Sequence, residues 1–348
     1  MNSLYHSLTI SHITEEVPGF KTFIFAGEDA NAIRYEAGQY LTLVMMENQA
    51  EVRRSYSIIS SPDLGEPLAI GVKRIENGVF SRWLVDKAKV GDVVTTTGAS
   101  GFFILPQELS LRQKQVMCWA AGSGITPIFS IIKTLLYAHQ AVNVLLVYSN
   151  SSPEVTIYKE HLERLAQQFP DQFQLVFLYS NAQRLDEARL HKSFLKQLVR
   201  KHAAVPAADL LCYICGPENY RRLCVYGLRE MDVPAEQIWQ ENFNSEKVTL
   251  KVLPPDTNPH RVTLWLHNEK YEVVTQYPDT ILQAARKTGI SLPYSCETGK
   301  CGNCAAQCLE GSVWMSYNEV LTQKALAKGL TLTCVGYPFG GDVVLKLL

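Results

Sequence analysis

Four cysteines toward the end of the sequence constrain what this chain can fold into more than any other feature. Cys296, Cys301 and Cys304 read C-x4-C-x2-C, and Cys334 follows thirty residues after the third of them. A short loop presents three thiols toward one point only if its backbone curls without side-chain bulk, and Gly299 and Gly302 supply that freedom. The fourth thiol can come from anywhere the fold brings close. The chain has nine cysteines in 348 residues. For three of them to fall at these two fixed gaps by chance has a probability of about half a percent.

Two kinds of thiolate chemistry use four cysteines. Structural zinc sites are usually built from two separated C-x2-C pairs, and only one such pair exists here. The C-x4-C-x2-C…C spacing is that of plant-type [2Fe–2S] ferredoxins. The reading is therefore a [2Fe–2S] cluster held by Cys296, Cys301, Cys304 and Cys334, with zinc or free thiols as the alternative. Cys334 stands in Leu332-Thr333-Cys334-Val335, a run with strand character.

Length leaves room for two or three domains, and at 47% hydrophobic residues there is ample material for their cores. A net charge of −1 argues against a nucleic-acid partner held by phosphate neutralisation. The first residues, Met1 to Ser7, carry neither a basic nor an apolar leader region, and no apolar run approaches the roughly 18 residues of a membrane span. The expectation is a cytoplasmic protein without a membrane span. An odd number of cysteines in such a chain fits metal ligands, buried thiols or catalytic groups better than a disulfide framework.

Three segments follow one another. Over residues 1–108, short β-rich runs (21–25, 40–44, 55–59, 68–72 and 92–96) separated by turns predict an antiparallel β-barrel. Over 109–243, apolar strands (116–121, 142–148, 173–178 and 210–215) alternate with helical stretches such as 128–136, the pattern of a parallel α/β sheet. A polar stretch with Pro254, Pro255 and Pro259 makes residues 244–259 a linker. Beyond it, 260–348 opens with a hairpin (262–266 and 271–275) and a helix from Thr280 to Lys287 ahead of the cysteine loop.

Two motifs carry chemistry besides the cysteines. Gly122-Ser123-Gly124-Ile125-Thr126-Pro127 lies between a strand and a helix, where backbone N–H groups hold a pyrophosphate; Pro127 replaces the usual third glycine and is tolerated in a first helical turn. An ordinary glycine turn is the alternative. In Arg54-Ser55-Tyr56-Ser57, a guanidinium suited to a phosphate, a stackable ring and a hydroxyl stand close together on one strand. Alone, they would equally suit an exposed arginine beside a core tyrosine.

Together these motifs make the chain similar to the ferredoxin–NADP reductase superfamily over nearly its whole length. The resemblance implies three domains: a flavin-binding antiparallel β-barrel, an α/β nucleotide-binding domain and a C-terminal β-grasp [2Fe–2S] ferredoxin domain. It implies that Arg54, Tyr56 and Ser57 bind flavin, with Val72 and Lys73 on the next strand. Asn77-Gly78-Val79-Phe80-Ser81 resembles the flavin-phosphate turn, Asn77 standing where a second glycine is common. Gly122, Gly124, Thr126 and Pro127 match the nicotinamide-nucleotide loop. Cys215-Gly216-Pro217 matches a motif that puts a thiol beside the nicotinamide C4. Glu241-Asn242-Phe243 resembles the family's acidic-x-aromatic terminus, whose ring covers the flavin and whose acid, Glu241, could serve a proton path. The domain order, with Leu292-Pro293-Tyr294-Ser295-Cys296 and Leu309-Glu310-Gly311, resembles reductase components of bacterial oxygenases, especially the phenylacetyl-CoA epoxidase and 3-ketosteroid 9α-hydroxylase group.

Under that resemblance the chain is an NAD(P)H:acceptor oxidoreductase. Hydride would pass to FAD with Ser57, Cys215 and Glu241 as catalytic residues, and single electrons would pass through the cluster to an oxygenase, desaturase or other acceptor protein. FAD rather than FMN rests on the resemblance. Ser149 to Ser152, after the second strand of the α/β segment, offer neither an acid for a ribose hydroxyl nor an arginine for a 2′-phosphate; this tips the expectation toward NADH, with Arg184 and Lys159 keeping NADPH open. Residues 260–348 hold seven acids and eight bases, so docking through a local patch is expected rather than long-range charge steering. Cys118, Cys212, Cys224 and Cys308 are expected to be buried thiols, and His191 and His202 surface residues. The alternatives are a reductase for a hybrid-cluster or nitric-oxide-handling protein, and a non-catalytic redox sensor.

Overall fold

The computed structural model describes residues 4–47, 50–106, 115–183, 188–244, 253–266 and 268–348. Arg184 and much of the expected linker lie outside them. In the N-terminal segment, β1 (His6–Val17), β2 (Phe20–Ala26), β3 (Tyr40–Glu47), β4 (Ala50–Ser57), β5 (Ala69–Lys73) and β6 (Val93–Ser100) form an antiparallel sheet in the order β4-β3-β6-β1-β2-β5. A bridge between Ile58 and Ile70 joins its two edges. The period-2 alternation of β2 decides what it touches: Phe23 and Phe25 face the barrel core, while Phe20 and Ile24 face the neighbouring domain. The long β1 escapes the sequence reading because only Leu8 and Ile10 of its twelve residues are buried. Helix α1 (Glu28–Ala32) follows β2, and helix α2 (Val79–Asp86) covers the barrel core with Phe80, Leu84 and Val85.

The middle segment has β7 (Gln115–Ala121), β8 (Asn143–Asn150), β9 (Phe173–Tyr179), β10 (Leu210–Cys215) and β11 (Ile238–Glu241), parallel in the order β11-β10-β7-β8-β9. Helices α3 (Ile125–Ala138), α4 (Lys159–Gln168), α5 (Lys192–His202) and α6 (Glu218–Arg229) connect the strands. Along β7, Val116, Cys118 and Ala120 enter one apolar cluster and Met117 and Trp119 another, so both faces of the sheet are covered. Strand order reverses between β7 and β10, and the carboxyl ends of these two strands carry Gly122–Gly124 and Cys215–Pro217. That reversal opens a crevice where open α/β sheets bind ligands.

In the C-terminal segment, β12 (His260–Leu266) and β13 (Glu269–Thr275) form the expected hairpin. Helix α7 (Ile281–Lys287) starts from a capping box in which Thr280 and Gln283 satisfy each other's backbone N–H groups. It is followed by β14 (Ala305–Glu310), β15 (Val313–Met315), α8 (Gln323–Ala327), β16 (Leu330–Leu332), β17 (Gly336–Pro338) and β18 (Val343–Leu347). The main sheet runs β13-β12-β18-β14-β16, with β12 and β18 parallel, and β15 pairs with β17.

Two expectations need correction. Cys334 lies in a turn, not a strand, because the chain leaves the main sheet at Leu332 and joins the small sheet at Gly336. Cys308 is only partly buried, since the β14–β18 register shifts between Cys308 and Glu310 and turns the thiol toward the Glu310 and Gly311 carbonyls. By contrast, Cys118, Cys212 and Cys224 are fully buried. Among the described residues, no helix is long and apolar enough to cross a membrane.

Candidate functional site

A cleft of about 1420 Å³ receives side chains from all three segments. Arg54 and Ser57 come from β4, Glu241 and Phe243 from the end of β11, and Cys296 and Cys301 from the cysteine loop. Two adjacent arginines of β4 differ in burial. Both line the cleft, Arg54 exposed and Arg53 buried.

Behind Arg54, Tyr56 packs edge-on against Phe80 of α2 with ring centroids 6.0 Å apart, which joins the strand motif to the Gly78–Ser81 turn. Burial pushes the Tyr56 phenol well above its ordinary value against the pull of Arg54, so it stays neutral. A side chain at Gly78 would run into Ser81 Oγ, 2.5 Å from where its Cβ would stand; that hydroxyl accepts the Ile75 N–H at 3.1 Å. Val72 is sealed in the barrel core and offers a cofactor only its backbone, while Lys73 ends β5 exposed. Among these residues, Arg54 and Ser57 line the cleft, and Tyr56, Val72, Lys73, Gly78 and Ser81 do not.

At the nucleotide turn, Gly122 takes a left-handed φ of +54°. Gly124 lies so close to the Cys215 carbonyl that a Cβ there would overlap it, which packs the turn against the end of β10. Thr126 Oγ1 closes the turn by donating to Ser123 O at 2.9 Å, and Pro127 sits in the first turn of α3. Gly216 is held against Ala121 and Tyr220, and Pro217 caps α6. Ser149 Oγ, Asn150 Nδ2 and Tyr179 OH, at the carboxyl ends of β8 and β9, are shut from water. They lie near Tyr220, Tyr148 and Thr156 but make no hydrogen bond of proper geometry among the described residues. Buried polar atoms normally have partners, so this set fits a ligand with hydroxyl or amide groups.

Cys215 and Glu241 are register partners on β10 and β11. Cys215 is fully buried, and burial pushes its thiol well up, with Glu241 adding to this once it ionises, against the pull of Arg221. Glu241 as a residue is half-buried, but its Oε2 is closed off with no partner among the described residues. That desolvation raises its carboxyl to about 8, so it holds a proton at neutral pH.

In the cysteine loop, Gly299 and Gly302 have φ of +73° and +82°, as the curl requires. A Cβ on Gly302 would also stand 2.7 Å from the Phe102 ring of the first domain. The thiols associate two by two, Cys296 with Cys301 and Cys304 with Cys334, and each pair feels the other's charge. A hydrogen bond from Cys301 holds Cys296 down near 5, favouring the thiolate. No three metal-binding side chains among the described residues surround a single ion position. Two thiol pairs side by side fit a two-iron cluster with two thiolates per iron.

Sequence reading missed the residues that join the domains. Arg53 donates to the carbonyls of Leu292 and Tyr294, each at 3.3 Å, pairs with Glu51 and lies 3.9 Å over the Tyr294 ring. Ser55 meets Ser295 at 2.7 Å, and Asn303 donates to Thr42 at 3.1 Å. Arg221 of α6 pairs with Glu319 at 2.9 Å. Only the neighbouring Arg53-Arg54 pair, one guanidinium more than the flavin motif uses, could have signalled one of these from sequence. His191 caps α5 from the surface, and His202 Nδ1 meets Gln174, so neither joins the site.

Three domain families match the chain: an oxidoreductase FAD-binding domain over residues 7–104, an oxidoreductase NAD-binding domain over 119–225 and a 2Fe-2S iron-sulfur cluster binding domain over 266–339. The chain is 33% identical to the ferredoxin reductase component of 3-ketosteroid-9-alpha-monooxygenase from Mycobacterium tuberculosis, across 97% of this chain and 94% of that protein. It is 31% identical to a component of the 1,2-phenylacetyl-CoA epoxidase of Escherichia coli, across 98% and 97%. The fold superposes on phthalate dioxygenase reductase with a TM-score of 0.59 at 23% identity, covering 99% of this chain and 98% of that one. An intact type IV self-sufficient cytochrome P450 monooxygenase superposes with a TM-score of 0.72 at 22% identity, and there the match spans 41% of the longer chain.

Proposed function

This chain belongs to the family of reductase components that join FAD-binding, NAD-binding and 2Fe-2S domains in one polypeptide, and within it we propose an NADH-dependent member that delivers single electrons to a terminal oxygenase. The observation that carries the proposal is the single cleft into which Arg54 and Ser57, Glu241 and Phe243, and Cys296 and Cys301 all open. When bound, FAD supplies the conversion of a two-electron hydride donor into the single electrons that a [2Fe–2S] centre accepts.

The chain's own residues serve that exchange by holding and shielding. Arg54 offers an uncommitted face of its guanidinium to a phosphate, and Ser57 a hydroxyl buried at the cleft wall. Tyr56, Val72, Lys73, Gly78 and Ser81 complete the flavin side, with Gly78 and Ser81 at the start of α2. Gly122, Gly124, Thr126 and Pro127 hold the dinucleotide at the start of α3, and Gly216 and Pro217 border the nicotinamide. Cys215 stays a neutral thiol, Glu241 keeps its proton at a water-free atom, and Phe243, exposed at the cleft, supplies a ring to cover the flavin. Cys296, Cys301, Cys304 and Cys334 ligate the cluster. The domains run 1–108, 109–243 and 260–348, with 244–259 between the last two.

NADH is favoured because Ser149 and Asn150 offer neutral groups only, while Lys159 is engaged by Glu163 at 2.8 Å. A cytoplasmic setting is supported by the nine cysteines, none of which is in a disulfide. The test is an anaerobic titration with NADH and, separately, NADPH, followed by visible absorbance and low-temperature electron paramagnetic resonance. Flavin bleaching and a reduced [2Fe–2S] signal at lower NADH than NADPH are expected; bound cofactors that neither nucleotide reduces would sink the proposal.

A further inference from the structure

One carboxylate oxygen gathers both segments assigned to the nicotinamide. Glu319 Oε1 accepts from Arg221 Nη1 and from Asn242 Nδ2, each at 2.9 Å. Arg221 lies one turn into α6, directly after Cys215-Gly216-Pro217, and Asn242 stands between Glu241 and Phe243. The Arg221 side chain is 4% exposed, and Glu319 is its ion-pair partner among the described residues. Gln240 takes a further hydrogen bond from the same Nη1 at 3.0 Å.

The other end of Glu319 is fastened to the cysteine loop. Its backbone N–H donates to Gly299 O at 3.0 Å, and its Oε2 accepts from Tyr317 OH at 2.9 Å. Tyr317 in turn closes over Gly299, leaving no room for a Cβ: its carbonyl oxygen would be 2.8 Å away. Gly299 lies between Cys296 and Cys301. Burial pushes the Glu319 carboxyl up, but the Tyr317, Arg221 and Asn242 contacts outweigh it and hold it below the ordinary carboxylate range, so the charge that binds Arg221 persists.

We propose that Glu319 is a positioning residue that carries nucleotide occupancy to the iron–sulfur loop. The proposal rests on the reductase reading above. A dinucleotide entering beside Cys215 meets Glu241, its register partner on β11, and Asn242 follows Glu241 directly in the chain. A shift of Asn242 or Arg221 acts on Glu319, and through its backbone on the curl that sets two ligand thiols. Because coupling is reciprocal, nucleotide binding then changes the cluster's reduction potential, and cluster reduction changes nucleotide affinity by the same factor. A tenfold coupling corresponds to about 59 mV for a one-electron centre.

The experiment uses full-length protein loaded with FAD and cluster, and titrates the cluster potential by electron paramagnetic resonance with and without 1,4,5,6-tetrahydro-NAD, a dinucleotide that gives up no hydride. The expected result is a shift of tens of millivolts (~59 mV per tenfold coupling) in the natural sequence that vanishes in Glu319→Ala and shrinks in Asn242→Ala. Absence of a shift in the natural sequence, or a full shift in Glu319→Ala, overturns the proposal. Should Glu319→Ala fail to hold its cluster, Asn242→Ala decides, and a full shift there overturns it as well. Flavin bleaching by NADH is recorded on the same samples: its absence in the natural sequence indicts the reductase reading, and its presence without a potential shift indicts the role of Glu319 alone.

Discussion

Tyr40 donates its phenolic hydrogen bond to the carbonyl oxygen of Cys301 at 2.9 Å, tying the first barrel domain to a cluster ligand 261 residues further along the chain. The ring is almost wholly buried, and it belongs to β3, the strand that also places Thr42 against Asn303. Replacing Tyr40 by Phe removes this bond, with the Ser100 contact at the same hydroxyl, and keeps the ring. The docked ferredoxin domain should then be weakened by about 1 kcal/mol, read from the denaturant midpoint for loss of cluster absorbance. An unchanged midpoint would show that the bond contributes nothing to docking.

Arg53→Ala and Arg54→Ala should fail in opposite ways although the residues are adjacent. Arg53 is buried with Glu51, two carbonyls and the Tyr294 ring, so its loss leaves the half-buried Glu51 carboxylate without its cation, held by the Tyr5 and Tyr294 hydroxyls alone, and should weaken the ferredoxin docking by about 3 kcal/mol. Arg54 faces the cleft, and its loss should lower flavin content while leaving that docking intact. Flavin-to-protein ratio and proteolysis between the second and third domains separate the two; matching phenotypes would contradict the division of tasks along β4.

Glu241 gives stability a pH dependence of definite sign. Its folded value of about 8 lies above the usual 4.5, so the folded state holds the extra proton. The contribution is fully present below the unfolded value, declines as pH rises from about 4.5 and is gone above about 8. Glu241→Gln should flatten that decline in a thermal-melting series across the same window. A variant whose profile parallels the natural one would place the effect on another group.

Association with the oxygenase should depend weakly on salt. Residues 260–348 carry seven acids and eight bases, and several pair locally, as Lys270 with Glu272 and Arg286 with Glu297. Charge-steered partners gain roughly tenfold or more in association rate at low ionic strength. Stopped-flow mixing of reduced protein with its oxygenase across a salt series should show far less; a tenfold fall would reveal a charged docking patch that the net balance conceals.

Much of the architecture is legible in the amino-acid sequence, for reasons that differ by element. The β7 run from Gln115 to Ala121 is apolar on both faces and so reads as a covered parallel strand, and the Thr280–Gln283 capping box marks the start of α7. By contrast, β1 escapes detection, because a strand with two buried residues in twelve leaves no hydrophobic period. Around Cys334 the strand character of the sequence misleads, since neither the composition of 332–335 nor its spacing records that the chain changes sheets there.

By itself, the sequence determined the chemistry: four thiols at ferredoxin spacing, a glycine turn between strand and helix, and a strand bearing Arg54, Tyr56 and Ser57. These are local, because loop curl, helix start and strand face depend on residues a few positions apart. Only the tertiary structure decided that Arg53 rather than Arg54 anchors the third domain, that the thiols gather as two pairs, that Glu241 holds a proton, and that Glu319 joins Arg221 and Asn242 to Gly299. Each of these depends on groups tens to hundreds of residues apart meeting where water is excluded, and burial is a property of the packed chain that no short stretch of sequence contains.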